Sequence, residues 1–248
     1  MTQPVLALRD VRKRFGEVVV ADGLDLEVAA GEAIGIVGPN GAGKSTLFAM
    51  ISGELRPDAG TISLDGHEVD SRPAQERTRM GIGRTFQIPR PFEHMTVFEN
   101  LLVFATSGAG LHGARASTRA VETAERTGLA HMLNTRAGAL GLLARKRLEL
   151  ARGLASDPRV LLLDEVAGGL TEPEVAELVE LICDVKADGL AVVWIEHVVH
   201  ALTATVTRLA CLAGGKMIAD GDPFEVLDHA QVREVYLGTT LTTEEDVA

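Results

Sequence analysis

A glycine-rich loop at residues 38–46 constrains the possible folds of this chain more than any other feature. It reads Gly-Pro-Asn-Gly-Ala-Gly-Lys-Ser-Thr, the pattern of a glycine, four residues and then Gly-Lys-Ser. A short apolar run, 33–37, precedes the loop, and a helix-compatible run, 47–51, follows it and stops at Gly53. This order predicts a strand buried on both faces, then a loop whose N–H groups surround a phosphate. The helix that follows would point its positive dipole end at that phosphate.

The residue types in the loop indicate which kind of phosphate it binds. Lys44 is predicted to reach the β- and γ-phosphates of a nucleoside triphosphate, and the Ser45 hydroxyl is predicted to ligate Mg²⁺. The alternative is a glycine-rich turn without a ligand. That alternative needs the strict pattern and its strand–helix context to coincide by chance, so we favour the nucleotide.

The composition excludes several other classes of protein. With 248 residues, 46% hydrophobic and 24% charged, the chain can bury a large core and is neither disordered nor fibrous. Its net charge of −11 argues against a general nucleic-acid-binding surface. No apolar stretch approaches the roughly 20 residues that span a bilayer, and residues 1–4 lack the start of a secretory signal. Cys183 and Cys211 lie in apolar contexts, so we expect free thiols and a cytosolic location.

The order of predicted elements is that of an α/β protein. Residues 1–30 show the alternation of an antiparallel sheet, and strands alternate with helices again in the C-terminal part. We predict a parallel-sheet core, residues 1–87 and 158–238, that includes the small antiparallel sheet. A helical subdomain, 88–157, interrupts this core, and an acidic tail, 239–248, is expected to be frayed.

Two local patterns make specific structural predictions. Thr171 and Glu174 form a capping box, with Pro173 in the first turn, and predict a helix over 172–187. Asp65-Gly66 follows a strand-like run and predicts a tight hairpin turn, because these two residues accept the positive φ angles that such a turn requires.

Polar residues follow two further apolar strands. Asp164 and Glu165 come directly after the run 159–163, and His197 follows the run 190–195. The carboxyl ends of parallel strands lie at the edge where such a sheet binds its ligand. Asp164 is predicted to hold the Mg²⁺ shell, Glu165 to polarise a water for in-line attack, and His197 to hydrogen-bond the γ-phosphate. The alternatives are a solvated acidic pair and a structural histidine.

Together these residues resemble the ATPase subunits of ABC transporters, over essentially the whole chain. Residues 38–46 match the Walker A loop, 160–165 match the Walker B strand with its catalytic glutamate, and His197 matches the switch histidine. Phe15 matches the aromatic residue on which adenine stacks, and Gln87 matches the Q-loop glutamine that contacts Mg²⁺. Taken alone, Phe15 and Gln87 would be ordinary packing or surface residues; five matches in the right order carry the resemblance.

The resemblance implies a P-loop NTPase core of ABC ATPase type that uses ATP and Mg²⁺. It implies Glu165 and His197 as catalytic residues, and Ser45, Gln87 and Asp164 as the residues around the metal. The implied nucleotide contacts are Phe15, Gly38, Asn40, Gly41, Ala42, Gly43, Lys44, Ser45, Thr46 and Gln87.

A narrower resemblance links the chain to the branched-chain amino acid importer group. It rests on the segments 84–87, 95–103, 148–152 and 219–238. It implies that the groove around residues 87–103 receives membrane-spanning permease subunits, so that the chain is cytoplasmic and peripheral on the inner face of the plasma membrane. The imported solute would be a branched-chain amino acid, with urea or short amides as alternatives.

Three side chains in that groove segment are candidates for contact with the partner. They are Arg90, Phe92 and Phe98. The alternative, that the two phenylalanines belong to the core, is equally compatible with the pattern.

The signature sequence of the family departs from its usual form. In this group it tends toward Leu-Ala-Tyr-Gly-Gln, and the equivalent residues here, 140–144, are Leu-Gly-Leu-Leu-Ala. Leu143 replaces the glycine whose backbone approaches phosphate, and Ala144 replaces the glutamine, so close approach is obstructed. Val166 also replaces a proline after the catalytic glutamate and suggests a looser turn, and Thr171 replaces an acidic or amide residue.

The basic residues 145–147 follow this degenerate signature. They supply compensating charge to the phosphate, or they form a solvated helix face; the pattern favours the solvated face.

In this family two subunits sandwich ATP, and each site combines the Walker residues of one subunit (the Walker half) with the signature sequence of the other (the signature half). Because the signature half of this chain is degenerate, we predict a heterodimer with a second ATPase subunit. Alone, the chain should bind Mg²⁺·ATP and hydrolyse it slowly. The alternative is a nucleotide-gated interaction subunit with little ATPase activity of its own. A soluble ABC protein acting on nucleic acid fits poorly, because the chain is acidic and has neither a second ATPase domain nor a coiled-coil insertion.

Overall fold

The computed structural model describes residues 3–237, so the predicted tail at 239–248 lies outside the described residues. Short 3₁₀ turns at Ala130–Met132 and Ala137–Ala139 and a C-terminal helical stretch from Ala230 to Leu237 complete the regular structure. The strands and principal helices follow one another as β1 Leu6–Phe15, β2 Val18–Val28, β3 Ala33–Val37, α1 Lys44–Ser52, β4 Ala59–Leu64, β5 His67–Glu68, α2 Ala74–Met80, β6 Ile82–Arg84, α3 Val97–Ser107, α4 Ala114–Arg126, α5 Leu142–Ala155, β7 Val160–Asp164, α6 Glu172–Ala187, β8 Ala191–Ile195, α7 Val199–Thr205, β9 Arg208–Ala213, β10 Lys216–Gly221 and α8 Pro223–Asp228.

The first sheet is antiparallel and has the strand order β2-β1-β4-β5. On β2 the apolar residues Leu24, Leu26 and Val28 are buried, while the acidic residues between them are more exposed. This confirms the predicted alternation of a half-buried strand. The predicted hairpin turn is also present, with φ angles of 47° at Asp65 and 78° at Gly66.

The second sheet has the order β10-β9-β3-β8-β7-β6, with five parallel strands and β10 antiparallel at one edge. Strands β3, β7 and β8 are buried along their whole length, because apolar side chains cover both faces of the sheet. On one face lies the antiparallel sheet with α1, and on the other lie α6 and α7. The carboxyl ends of β3, β8 and β7 are therefore adjacent, which brings the loops that follow them together.

Helices α3, α4 and α5 pack on one another around a separate cluster of buried side chains that includes Leu101, Ala120 and Leu148. Helix α3 begins with a capping box: the Glu99 backbone N–H donates to Thr96 Oγ1 at 3.1 Å, and the Thr96 N–H donates to the Glu99 carboxylate at 2.7 Å. This packing supports a helical subdomain over 88–157, which stays a prediction.

The predicted start of α6 is confirmed. The Glu174 carboxylate accepts hydrogen bonds from the Thr171 backbone N–H and hydroxyl, both at 2.8 Å. Cys183 and Cys211 are free thiols, with Cys211 buried on β9 and Cys183 half-buried. Within residues 3–237, no helix is both long and apolar enough to cross a bilayer.

Candidate functional site

The phosphate loop joins β3 to α1, and its backbone accepts only glycine at two positions. Gly38 has a φ of 150°, and a Cβ there would lie 2.0 Å from the Leu212 carbonyl oxygen. Gly43 has a φ of 103°, and its Cβ would lie 2.5 Å from the Val20 carbonyl oxygen. Because both obstacles are backbone atoms that cannot move aside, the glycines are required by the packing of the loop against its neighbours.

The N-terminus of α1 is open to a phosphate. No side chain in the described part of the chain caps it. The first-turn N–H groups of α1 have no partner within the helix, and the helix dipole adds positive potential in front of them. The loop therefore fits a bound phosphate chain.

Lys44 lies folded into this loop. Its side chain is buried, and Nζ donates to the carbonyl oxygens of Gly38 at 2.6 Å and Pro39 at 3.0 Å. Burial lowers the pKa of Lys44, while the carboxylates of Glu165 and Asp164 oppose that shift. A desolvated ammonium held only by neutral carbonyls gains most from an anionic ligand, which is what a triphosphate provides.

Asp164 ends β7 and is 5% exposed. Burial raises its pKa, and the Arg84 guanidinium, with Nη2 3.2 Å from Oδ2, opposes that rise. Arg84 also bridges to Glu54 at 3.0 Å and donates to the Ser52 hydroxyl at 3.0 Å. A buried carboxylate with one oxygen committed to arginine retains a second oxygen for a metal shell, so it suits the predicted position beside Mg²⁺.

Glu165 meets two other predicted site residues that lie far from it in sequence. Gln87 Nε2 donates to Glu165 Oε2, and His197 Nε2 lies 3.0 Å from Glu165 Oε1. Both carboxylate oxygens are thus engaged by protein groups.

Phe15 lies at the end of β1 with 51% of its surface exposed, beside exposed Val18 and Val19. The Lys13 ammonium lies 5.5 Å from the centre of its ring. The β1–β2 hairpin also contacts the phosphate loop, since Val20 packs against Gly43. An exposed aromatic face on this hairpin is suitable for stacking a nucleotide base.

Comparison with known proteins identifies the family. A sequence profile of the ABC transporter family matches residues 21–168. The high-affinity branched-chain amino acid transport ATP-binding protein LivG of Salmonella typhimurium is 36% identical over 253 aligned residues, which cover 96% of this chain and 99% of LivG. The chain belongs to the ABC transporter family. The predicted family is confirmed, and as a member of it the chain is an ATP-binding ATPase subunit.

Two further comparisons define the likeness. A crystal structure of MJ1267, an ATP-binding cassette of an ABC transporter in its ADP conformation, matches with a TM-score of 0.86 and 28% identity, covering 96% of this chain and 100% of the cassette. This confirms the predicted P-loop fold of ABC ATPase type. The lipopolysaccharide export system ATP-binding protein LptB of Haemophilus influenzae is 33% identical over 234 residues, which cover 94% of this chain and 97% of LptB. Similarity across the family therefore extends beyond amino acid import.

Helix α5, which carries the predicted signature segment at its start, begins at Leu142 after Gly141. Leu142 is 47% exposed, and Leu143 is half-buried beside it. The degenerate segment thus lies at a helix N-terminus, as predicted, and it carries two leucine side chains there.

The prediction that residues 145–147 form a solvated face is wrong. Arg145 donates to the carbonyl oxygens of Leu140 at 2.9 Å and Gly138 at 2.7 Å, and Arg147 pairs with the Glu177 carboxylate. Lys146 is buried at 4% exposure. The sequence misled because three adjacent basic residues resemble a solvent-facing patch, whereas on a helix they point in three directions about 100° apart.

The segment that follows Gln87 is held by a buried ion pair that sequence patterns missed. Glu149 and Arg152 on α5 are bonded at 2.7 Å; Glu149 accepts from the Arg90 N–H at 3.2 Å, and Arg152 donates to the Arg90 carbonyl at 2.7 Å. Phe92 is 44% exposed on this segment, whereas Phe98 is half-buried against α3–α5. Phe92 is therefore the more exposed of the two phenylalanines.

Removing one member of this pair should destabilise the chain. Arg152→Met is expected to lower the free energy of unfolding by about 3 kcal/mol, because it leaves the Glu149 carboxylate buried without a counter-charge. Burial raises the pKa of Glu149, and its folded pKa then lies above the unfolded one. Protonation therefore favours the folded state, so the deficit should be larger at pH 8 than near pH 5. Urea unfolding at both pH values measures it, and Glu149→Met in the same chain should restore most of the loss; an equal deficit in the double variant would contradict the pairing.

Proposed function

We propose that the chain is the ATP-hydrolysing subunit of an ABC importer for branched-chain amino acids or a related small solute. The observation that carries the proposal is the meeting of Gln87, Glu165 and His197 at the sheet edge that also bears the phosphate loop. The choice of solute rests on the importer-like segments 84–103 and 148–152 and on the likeness to LivG.

The residues of the site take the following roles. The N–H groups of 38–46 and the Lys44 ammonium bind the β- and γ-phosphates, and the Phe15 ring stacks on adenine. Glu165 orients and deprotonates the attacking water after it separates from Gln87. His197 donates a hydrogen bond to the γ-phosphate once its contact with Glu165 has opened.

Ser45, Gln87 and Asp164 would hold Mg²⁺. Their hydroxyl, amide and carboxylate oxygens are the ligands that this cation prefers. When bound, the ion neutralises charge that develops on the phosphate oxygens.

The groove around 87–103 is proposed to receive a membrane-spanning permease subunit, which would place the chain on the cytoplasmic face of the plasma membrane. Ile88, 73% exposed, and Phe92 provide an apolar surface at the start of this groove. The buried pair Glu149–Arg152 on α5 holds the backbone of Arg90 in this groove, so a displacement of that backbone by the permease would be transmitted to α5.

We further propose that the working unit is a heterodimer with a second ATPase subunit. Lys44, Asp164, Glu165 and His197 form a complete Walker half, whereas the leucines at the start of α5 obstruct the signature half. A partner with an unobstructed signature would complete one site in the pair.

Restoring the signature should therefore activate the isolated chain. The double variant Leu143→Gly/Ala144→Gln is expected to raise its ATP turnover by about 10-fold. The restored segment would hydrogen-bond the phosphate oxygens, and lowering the barrier by about 1.4 kcal/mol corresponds to a tenfold faster reaction. Phosphate release by the purified chain, with and without the change, measures it. Adding Glu165→Gln must abolish the gain. Vigorous hydrolysis by the unmodified isolated chain would refute the heterodimer.

The leucines also favour a second candidate, a nucleotide-gated interaction subunit with little ATPase activity of its own. Turnover with and without a co-purified partner ATPase separates the two candidates.

For the solute, uptake of radiolabelled leucine should be lost when the gene is deleted and should return with the wild-type chain but not with Glu165→Gln. Unchanged leucine uptake in the deletion strain would remove the amino acid assignment and leave the ATPase assignment intact.

A further inference from the structure

Two buried charges lie close to Glu165 and have no part in the proposed chemistry. Lys146, on α5, is 4% exposed, and Glu196, directly after β8, is 1% exposed. Burying a charge is costly unless polar partners compensate it, so the partners of these two side chains indicate what they do.

Lys146 binds two backbone segments of the site at once. Its Nζ donates to the carbonyl oxygen of Gln87 at 2.9 Å and to that of Glu165 at 3.1 Å. Burial lowers the pKa of Lys146, and the carboxylate of Glu196 is the first among the charges that favour its ammonium form. A single buried ammonium thus ties the Q-loop to the turn after β7.

Glu196 acts in the same way from the opposite side. One carboxylate oxygen accepts from the Ala167 N–H at 2.9 Å, and the other accepts from the N–H groups of His197 at 2.9 Å and Val198 at 3.4 Å. A single buried carboxylate thus ties the turn after β7 to the turn that carries His197.

The turn between these charges needs such support. Glu165 has a φ of +47°, a left-handed conformation that costs a non-glycine residue of the order of 1 kcal/mol. Val166 does not loosen this turn, as the sequence suggested, because its side chain is buried and the peptide groups on either side of it are held: Glu165 O by Lys146 and Ala167 N–H by Glu196.

We propose that Lys146 and Glu196 are positioning residues that hold the backbones of Gln87, Glu165 and His197 in register, so that the three side chains meet. The part of this inference that concerns hydrolysis rests on the proposed role of Glu165. The part that concerns backbone order does not.

Hydrogen exchange of the full-length chain without nucleotide tests the backbone part. In Lys146→Met and Glu196→Leu, amides in 86–92, 165–169 and 197–199 should exchange at least 10-fold faster. Exchange in the β1–β2 sheet should stay unchanged. Arg147→Met and Glu177→Gln are the matched controls. Each breaks the ion pair between Arg147, the residue after Lys146 on α5, and Glu177 on α6, and each should leave exchange in these three segments unchanged. Lys146→Arg, which keeps the charge, should stay within 3-fold of the unsubstituted chain.

Equilibrium binding of a fluorescent ATP analogue and single-turnover hydrolysis test the catalytic part. Lys146→Met should alter ATP affinity by less than 3-fold and slow single turnover by about 10-fold, with Lys146→Arg restoring most of the rate. Three results would overturn the proposal. They are unchanged exchange rates in the three segments, an equal rise in exchange rate throughout the chain, or an equal loss of single-turnover rate in Lys146→Met and Lys146→Arg. If Lys44→Ala and Glu165→Gln also leave binding and hydrolysis unchanged, the proposed function fails, and the exchange data alone then decide the backbone role.

Discussion

Glu165→Gln is expected to slow ATP hydrolysis by about 100-fold or more while ATP binding persists. Positioned general bases contribute roughly 10²- to 10⁴-fold, and glutamine keeps the shape of the side chain without its basic oxygen. The amide also retains groups that can hydrogen-bond Gln87 and His197, so the fold around it should be preserved. Steady-state phosphate release and binding of a fluorescent ATP analogue, measured on the same preparation, give the two quantities.

The matched control for this variant is Glu172→Gln. Glu172 has an exposed side chain on α6 that pairs with His200 at 3.0 Å. Its substitution should leave turnover within twofold of the unsubstituted chain. If Glu165→Gln retained more than half of the parental rate, Glu165 would not be the base, and the contact with Gln87 and His197 would be structural only.

Lys44→Ala is expected to weaken ATP binding by about 100-fold, because it removes a desolvated ammonium that a triphosphate would partner; each tenfold corresponds to about 1.4 kcal/mol. Saturating ATP should stabilise the unsubstituted chain by about 4 kcal/mol at 1,000 times the dissociation constant. For a variant that binds 100-fold more weakly, the same ATP concentration is about 10 times the dissociation constant and stabilises the fold by about 1.4 kcal/mol. The rise in melting temperature of the variant should therefore be about a third of that of the parent. Thermal unfolding with and without Mg²⁺·ATP measures the difference.

Lys216→Met provides the control for this second prediction. Lys216 carries the same charge on an exposed side chain and pairs with Asp22 at 3.2 Å. It should show the full ATP-dependent rise in melting temperature. An equal rise in Lys44→Ala would show that the loop binds ATP without its lysine, which the geometry of the loop does not support.

The sequence predicted the fold and the place of the motifs because both depend on local patterns. Alternation of apolar and acidic residues predicted β2, continuous apolar runs predicted β3, β7 and β8, and a capping box predicted the start of α6. Parallel strands share one carboxyl edge, so residues that follow them were expected to lie together, and Glu165 and His197 do.

Misinterpretations arose where a side chain's direction depends on distant backbone. The sequence of the triplet 145–147 predicts a solvated face, yet Lys146 points inward toward Gln87 and Glu165. Val166 in place of proline predicts a looser turn, yet Lys146 and Glu196 hold that turn from two other elements. Neither partner is near it in sequence, so no local pattern could have revealed them.

The glycine loop at 38–46, with its strand and helix, was determined by the sequence alone, because a buried strand, a glycine-rich loop and a helix form a local pattern and the positive φ angles at Gly38 and Gly43 favour glycine. The arrangement of charge around Glu165 was decided only by the tertiary structure. There, buried Lys146 and Glu196 and half-buried Arg84 are tolerated because backbone and carboxylate groups from separate strands and helices compensate them. That compensation exists only once the sheet and α5 are packed together.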